Sequence, residues 1–225
     1  MTRRGIFITG TDTGVGKTVV CTSLLAAGAR QGAWGYWKPV QTGDDDDAAT
    51  VRAHTPAVQR HRVLDAGCHF TEPASPHHAA ALEGKHVDVS TLSRLWSELP
   101  QGAWVVEGAG GWMVPLNAHE LWGDFVDALD IGVLLVASTR LGCINHTLLS
   151  LSAIGRRAIG VIMVGPFDPS AWTGIEAHTD VPIVGHLEYV SPLTASVIND
   201  WGESLWQGDC GAAIFRSIGQ PRDQE

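Results

Sequence analysis

The sequence predicts an α/β fold: a single doubly wound domain with a mostly parallel sheet and helices on both faces. Three observations carry this. Apolar runs of strand length alternate with helical patterns along all 225 residues, the order that builds βαβ units. The runs are nearly continuous in apolar residues, as burial on both faces of a sheet requires. The first run ends in a glycine-rich turn, Gly10-Thr11-Asp12-Thr13-Gly14-Val15-Gly16-Lys17-Thr18, that opens directly into a helical pattern.

Taken in order, strands are expected over residues 5–9, 34–40, 103–107, 131–137, 159–164 and 182–187. The helical patterns between them cover residues 17–31, 77–82, 91–99, 123–129, 144–157 and 193–206. Short turns containing Gly or Pro separate these elements. No internal repeat or linker interrupts the pattern, so residues 1–225 read as one domain, with a polar tail over 219–225 expected to fray.

Composition narrows the function. The net charge is −9, from 15 basic and 24 acidic residues, which argues against a nucleic-acid-binding surface. No apolar stretch reaches the roughly 20 residues that cross a bilayer, so no membrane is expected. The basic start at residues 1–4 precedes an apolar run too short for a signal peptide. The four cysteines, Cys21, Cys68, Cys143 and Cys210, are scattered, suggesting neither a zinc site nor a disulfide framework. A reducing, cytoplasmic location is the expectation. The ten histidines include no pair at metalloprotease spacing.

The glycine-rich turn has the parts of a phosphate-binding loop, so the fold expected is that of the P-loop NTPases. Glycines let backbone N–H groups close around phosphate oxygens, and the helix N-terminus adds partial positive charge. Nucleotide contacts are therefore expected from Asp12, Thr13, Gly14, Val15, Gly16, Lys17 and Thr18. Lys17 would reach the β- and γ-phosphates, and the Thr18 hydroxyl would ligate Mg²⁺. Five residues separate Gly10 from Gly16, one more than the common spacing, which places Thr13 to face substrate as well as nucleotide.

In doubly wound folds ligands sit at the carboxyl ends of the strands. The second strand ends at Lys38, a charge stabiliser or a solvated edge lysine, followed by Thr42 and by Asp44-Asp45-Asp46-Asp47. Such an acidic run is usually a solvated turn, although at a nucleotide site one carboxylate can hold Mg²⁺. The third strand ends at Glu107-Gly108-Ala109-Gly110-Gly111, where an acid takes the position of a second metal carboxylate. After the fourth strand, Gly142-Cys143-Ile144-Asn145-His146 opens a helix that is either an anion site or an ordinary helix start. Gly165 and Pro166 follow the fifth strand, an edge against which nucleotide bases often lie.

Five blocks in one order resemble the dethiobiotin synthetase family: Gly10–Thr18, Gly35-Tyr36-Trp37-Lys38-Pro39-Val40, Phe70-Thr71-Glu72-Pro73-Ala74-Ser75-Pro76-His77, Glu107-Gly108-Ala109-Gly110-Gly111-Trp112 and Gly142–His146. The resemblance implies ATP-dependent carboxylation of 7,8-diaminononanoate with CO2. In that reaction a carbamate is phosphorylated and the second amine closes the ureido ring, releasing nucleoside diphosphate and phosphate. It implies catalytic roles for Lys38, Lys17, Thr13 and Thr42, and nucleotide contacts from Glu107, Gly108, Ala109, Gly110, Gly165 and Pro166 as well as the loop. Substrate would meet Thr13, Lys38, Thr42, Gly110 and Gly111, with its carboxylate on the Cys143, Ile144 and Asn145 backbone. Mg²⁺ would be held by Thr18, Glu107 and an aspartate. Asp47, before Ala48-Ala49-Thr50-Val51, fits the family pattern best, with Asp46 as the alternative. A homodimer with the substrate site at the subunit boundary is also implied, with Pro73 and the Pro76-His77 helix start shaping its wall.

The last third departs from the family. Met163-Val164-Gly165-Pro166 lacks the adenine-reading Asn many relatives carry, and Gly185-His186-Leu187-Glu188 has Glu where they have Pro. Relaxed base preference, with other nucleoside triphosphates accepted, is the consequence expected. A switch ATPase of the partitioning and septum-site class is the rival. It is disfavoured because Thr11 stands where that class has a second lysine, and because residues 211–225 show no amphipathic membrane helix.

Overall fold

The structure is a computed structural model that describes residues 3–219. In chain order its elements are β1 (Arg4–Gly10), α1 (Lys17–Gln31), β2 (Trp34–Trp37), β3 (Val40–Thr42), α2 (Asp47–His54), β4 (Cys68–Phe70), α3 (Pro76–Leu82), α4 (Val89–Glu98), β5 (Ala103–Gly111), α5 (Trp122–Leu129), β6 (Gly132–Ser138), α6 (Cys143–Ile154), β7 (Ala158–Val164), α7 (Pro169–Glu176), β8 (Ile183–Leu187), α8 (Ala195–Gln207) and α9 (Asp209–Gly219).

Six strands form one parallel sheet in the order β2-β5-β1-β6-β7-β8. The order reverses around β1, so the turn after β1 lies at the switch point where such folds bind ligands. Side-chain alternation splits the core in two. Phe7, Trp37, Trp104, Val106, Trp122 and Phe125 pack on one face, where the Phe7 and Trp122 rings stand 5.4 Å apart. Ile6, Ile8, Tyr36 and Val105 pack on the other, against Val20, Cys21 and Leu24 of α1.

The expected strand over 34–40 is two strands in two sheets. β2 ends at Trp37, and β3 pairs in parallel with β4 as a separate sheet, Val40 opposite Cys68. Pro39 lies at the break and has no N–H to continue a ladder. Instead the Lys38 and Pro39 carbonyls accept the Gly67 and Cys68 N–H groups at 3.2 and 2.9 Å. The third expected strand runs on to Gly111, so Glu107 lies within β5 and does not end it. The helix expected over 144–157 stops at Ile154, because Gly155 takes a positive φ of 60° and a 3₁₀ turn follows.

Three helices escape the sequence reading. α2 begins inside the aspartate run, with the Asp46 carboxylate accepting the Ala49 N–H at 2.8 Å as its cap. α7 is capped in the same way by Asp168. α9 is amphipathic, against the expectation of no such pattern from residue 211 on: its Cys210, Ala213 and Ile214 join the α1 layer of the core. Gly211 permits the sharp α8–α9 corner, where a Cβ would fall 1.9 Å from the Trp206 carbonyl oxygen. Gly219 is the last described residue of this helix, and the rest of the expected frayed tail lies outside the described residues, as does the start of the basic segment at residues 1–4. Among the described residues no helix is long and apolar enough to cross a membrane.

Candidate active site

The loop between β1 and α1 is built on two left-handed glycines, Gly14 at φ 70° and Gly16 at φ 100°. Side chains rarely adopt that conformation, and at Gly16 a Cβ would also sit 2.9 Å from the Val164 side chain at the end of β7. Gly16 is the N-cap of α1, so the unpaired N–H groups of the first turn gather at the loop. Lys17 Nζ donates to the Asp12 carbonyl at 2.9 Å, and the Asp12 carboxylate accepts the Thr13 N–H at 2.7 Å. This is an anion cradle with a cation at its rim.

Beside it three oxygen-bearing side chains converge. Thr18 Oγ1 lies 3.0 Å from Asp47 Oδ1 and 2.9 Å from Glu107 Oε1. One hydroxyl proton can serve only one of them at a time, so the cluster has spare acceptor capacity. Lys38 pairs with Asp47 Oδ2, and its Nζ lies 3.8 Å from Glu107 Oε1. The other oxygen of Glu107 accepts the Tyr36 hydroxyl at 2.9 Å. Glu107 is 1% exposed and both lysines are 7% exposed.

Burial sets the charges of this group. It pushes the Glu107 carboxyl above the usual carboxylate range against the pull of Lys38. It lowers Lys17 by more than the Glu107 charge restores. Lys38 is also penalised by burial, but the Glu107 and Asp47 carboxylates outweigh that and raise it, so it stays an ammonium.

A cleft of about 640 Å³ opens over the cluster. It brings together Thr13, Gly14, Gly16, Lys17, Thr18, Lys38, Thr42, Asp47, Glu107, Ala109 and Gly110 of the residues expected from sequence. Pro73 and Pro76 line its far wall, whereas His77 does not. The two aspartates separate by role: Asp46 caps α2, and Asp47 faces the cluster.

Other expected residues lie around the cleft without lining it. Val15 is buried beneath the loop. Gly108 makes room for Phe7, whose ring tip would be 2.6 Å from a Cβ there. Gly111 pairs with Gly10 across the β1–β5 ladder. Gly165 lies against Thr139 and Tyr189, and its carbonyl is 2.7 Å from His186 Nε2. Pro166 is likewise beyond the cleft wall. Cys143, Ile144 and Asn145 open α6 after the left-handed Gly142, outside this cleft. Cys143 is buried with its N–H donating to the Arg140 carbonyl at 2.9 Å, and Ile144 and Asn145 are exposed.

Sequence reasoning missed Tyr36. The signal was available: Tyr36 stands two residues before Lys38 in an extended segment, which puts both side chains on one face.

Comparison with known proteins adds the following. A family model described as an AAA domain matches residues 4–197. The chain is 42% identical over 197 residues to the ATP-dependent dethiobiotin synthetase BioD of Agrobacterium fabrum, covering 85% of this chain and 89% of that protein. It is 38% identical over 200 residues to the protein of the same name from Paramagnetospirillum magneticum, covering 87% and 93%. It is 39% identical over 212 residues to the biotin biosynthesis bifunctional protein BioCD of Bordetella avium, covering 90% of this chain but only 43% of that longer protein. Among solved structures, a ParA family ATPase from Chlorobium tepidum TLS superposes with a TM-score of 0.55 at 12% identity, over 96% of both chains. HypB from Helicobacter pylori gives 0.53 at 13% identity, over 98% of this chain and 91% of that one. At such identities the likeness is one of fold alone.

Proposed function

The chain belongs to the ATP-dependent dethiobiotin synthetase family, and from that premise we propose how its own residues carry out the ring closure. The observation that carries the reading is the placement of Lys38 between the phosphate loop and the Thr18–Asp47–Glu107 oxygens, in a cleft shared with Thr42 and Pro73.

The nucleotide's phosphates lie in the cradle of Gly14–Lys17, with Lys17 released from the Asp12 carbonyl to meet them. One amine of 7,8-diaminononanoate adds to CO2, loses a proton and becomes a carbamate. A carbamate oxygen attacks the γ-phosphorus and the P–O bond to the nucleoside diphosphate breaks. The second amine then attacks the carbonyl carbon of the resulting mixed anhydride, and phosphate leaves as the ureido ring closes. No covalent enzyme intermediate is needed: the work is positioning and charge stabilisation. Lys38 and Lys17 flank the carbamate and the transferring phosphoryl group, and Thr13 and Thr42 donate hydrogen bonds to their oxygens.

The donor set fits Mg²⁺. Among the described residues no three His, Cys, Asp or Glu side chains converge on one point. Two carboxylates and a hydroxyl do converge, a hard-oxygen set that would suit Mg²⁺ next to the phosphate loop. When bound it neutralises charge on the β- and γ-phosphates. Thr18, Asp47 and Glu107 are its proposed ligands.

The Ile144 and Asn145 N–H groups at the start of α6 are the proposed carboxylate receptor. They lie outside this chain's cleft, and on this reading a second copy supplies them to it in a homodimer. Residues 1–225 act as one unit, in the cytoplasm, in keeping with four free cysteines. Base selection is relaxed: no side-chain amide follows β7, and the Gly165 carbonyl is already engaged by His186. The test is phosphate release from Mg-ATP and bicarbonate, with and without 7,8-diaminononanoate. Release that does not depend on the diamine would sink the proposal.

A further inference from the structure

Tyr36 is fully buried on β2, the outermost strand of the six-stranded sheet on the Lys38 side. Its partner in register is Val105, two residues before Glu107, so alternation puts Tyr36, Val105 and Glu107 on the α1 face. The Glu107 carboxylate is therefore divided. Oε1 faces the cleft, toward Thr18 and Lys38, and Oε2 is held from behind by the Tyr36 hydroxyl at 2.9 Å. In this contact the phenol O–H is the donor and the carboxylate oxygen the acceptor. The buried Cys21 thiol, one turn along α1 from Lys17, lies against the same carboxylate. A carboxylate without that rear anchor can rotate about its last torsion, which is broad, and turn Oε1 away from the cleft.

We propose that Tyr36 is a positioning residue for the metal-binding carboxylate: its hydroxyl anchors Glu107 Oε2 so that Oε1 is presented to the divalent cation beside Thr18. This rests on the assignment of Glu107 as a metal ligand. The hydroxyl does not touch substrate, and its effect passes wholly through Glu107. A hydrogen bond to a charged group is strong enough that its loss weakens metal binding about tenfold.

The test is a double-mutant cycle read on metal binding. Mn²⁺ is titrated into enzyme holding a non-hydrolysable ATP analogue and followed by electron paramagnetic resonance, for wild type, Tyr36→Phe, Glu107→Gln and the double variant. Tyr36→Phe is expected to weaken Mn²⁺ about tenfold while metal-free nucleotide affinity stays within twofold. The double variant should bind Mn²⁺ no more weakly than Glu107→Gln alone, because Tyr36 has no other route to the metal. Mn²⁺ binding by Tyr36→Phe within twofold of wild type, or losses that simply add in the double variant, would overturn the proposal. If Glu107→Gln also binds Mn²⁺ like wild type, the metal assignment beneath it fails too. A second measurement needs no change at Tyr36. The chain has only two tyrosines, so labelling with 3-fluorotyrosine gives two ¹⁹F lines, and Tyr189→Phe identifies the Tyr36 line. That line should shift when Mg²⁺ is added to the nucleotide complex, and a line that stays put refutes the coupling.

Discussion

Replacing Lys38 by alanine separates the two jobs of the acidic cluster. In the folded protein Lys38 Nζ stands 3.8 Å from Glu107 Oε1 and pairs with Asp47. At an effective dielectric constant near 20, one such separation corresponds to about 4 kcal/mol of attraction. Removing the ammonium takes that away from two carboxylates that both lie within about 3 Å of one hydroxyl. The carboxylates then repel each other, and a divalent cation is the readiest relief, so Mn²⁺ affinity should hold or rise. Turnover should move the other way. A preorganised charge aimed at the transferring group is worth about 10² to 10³ in kcat, and phosphoryl transfer to the carbamate loses one of its two lysines. The expected result is a kcat reduced at least a hundredfold, with nucleotide affinity within about tenfold of wild type. Diamine-dependent phosphate release gives the first, and calorimetric titration of nucleotide gives the second. Activity within threefold of wild type, or metal and nucleotide affinities that collapse together with kcat, would refute the role given to Lys38.

CTP and GTP should each support turnover within about tenfold of ATP, since one lost bidentate base contact is worth roughly 1–3 kcal/mol; a preference for ATP above about a thousandfold contradicts it. Asp46→Ala removes only the α2 cap and should cost about 1 kcal/mol in thermal unfolding while Mn²⁺ binding is kept. Asp47→Asn should do the reverse, and equal effects from the two would merge roles that the geometry separates. Arg157 bridges Asp127 at 2.8 Å and Asp130 at 2.6 Å, far from the cleft. Because both carboxylates are more than half exposed, Arg157→Ala should cost about 1 kcal/mol, a fall of roughly 2–4 °C in melting temperature, with kcat unchanged.

Much of this molecule could be read from its sequence, for identifiable reasons. A parallel sheet covered on both faces writes itself as apolar runs, so its strands were visible. The phosphate loop was visible because backbone closure around an anion needs glycine at fixed steps. What stayed hidden has physical causes too. Four aspartates in a row look solvated, yet Asp46 turns the run into a helix cap and Asp47 turns inward to Thr18 and Lys38. α9 hides behind Gly211-Ala212-Ala213, small residues that carry a weak periodic signal although Gly211 and Ala213 are buried. The Glu107–Tyr36 contact spans 71 positions in sequence and is fixed by strand register, which no local window contains. The start of α6, expected at the site, lies outside the cleft of the single chain, a separation that helix periodicity does not encode.

The peptide between Lys38 and Pro39 acts as a pin between two jaws. On one side the large sheet carries the phosphate loop after β1. On the other the small sheet of β3 and β4 carries Thr42 and leads to Pro73, both on the wall of the same cleft. The Gly67 and Cys68 N–H groups clamp the pin's two carbonyls, so the jaws are aligned at that point without sharing a ladder. Substitutions in the small sheet away from Asp47, Gly67 and Cys68 can therefore reshape that wall of the cleft while the large sheet keeps its register. Lys38, mounted on the pin, stays paired with Asp47 and beside Glu107.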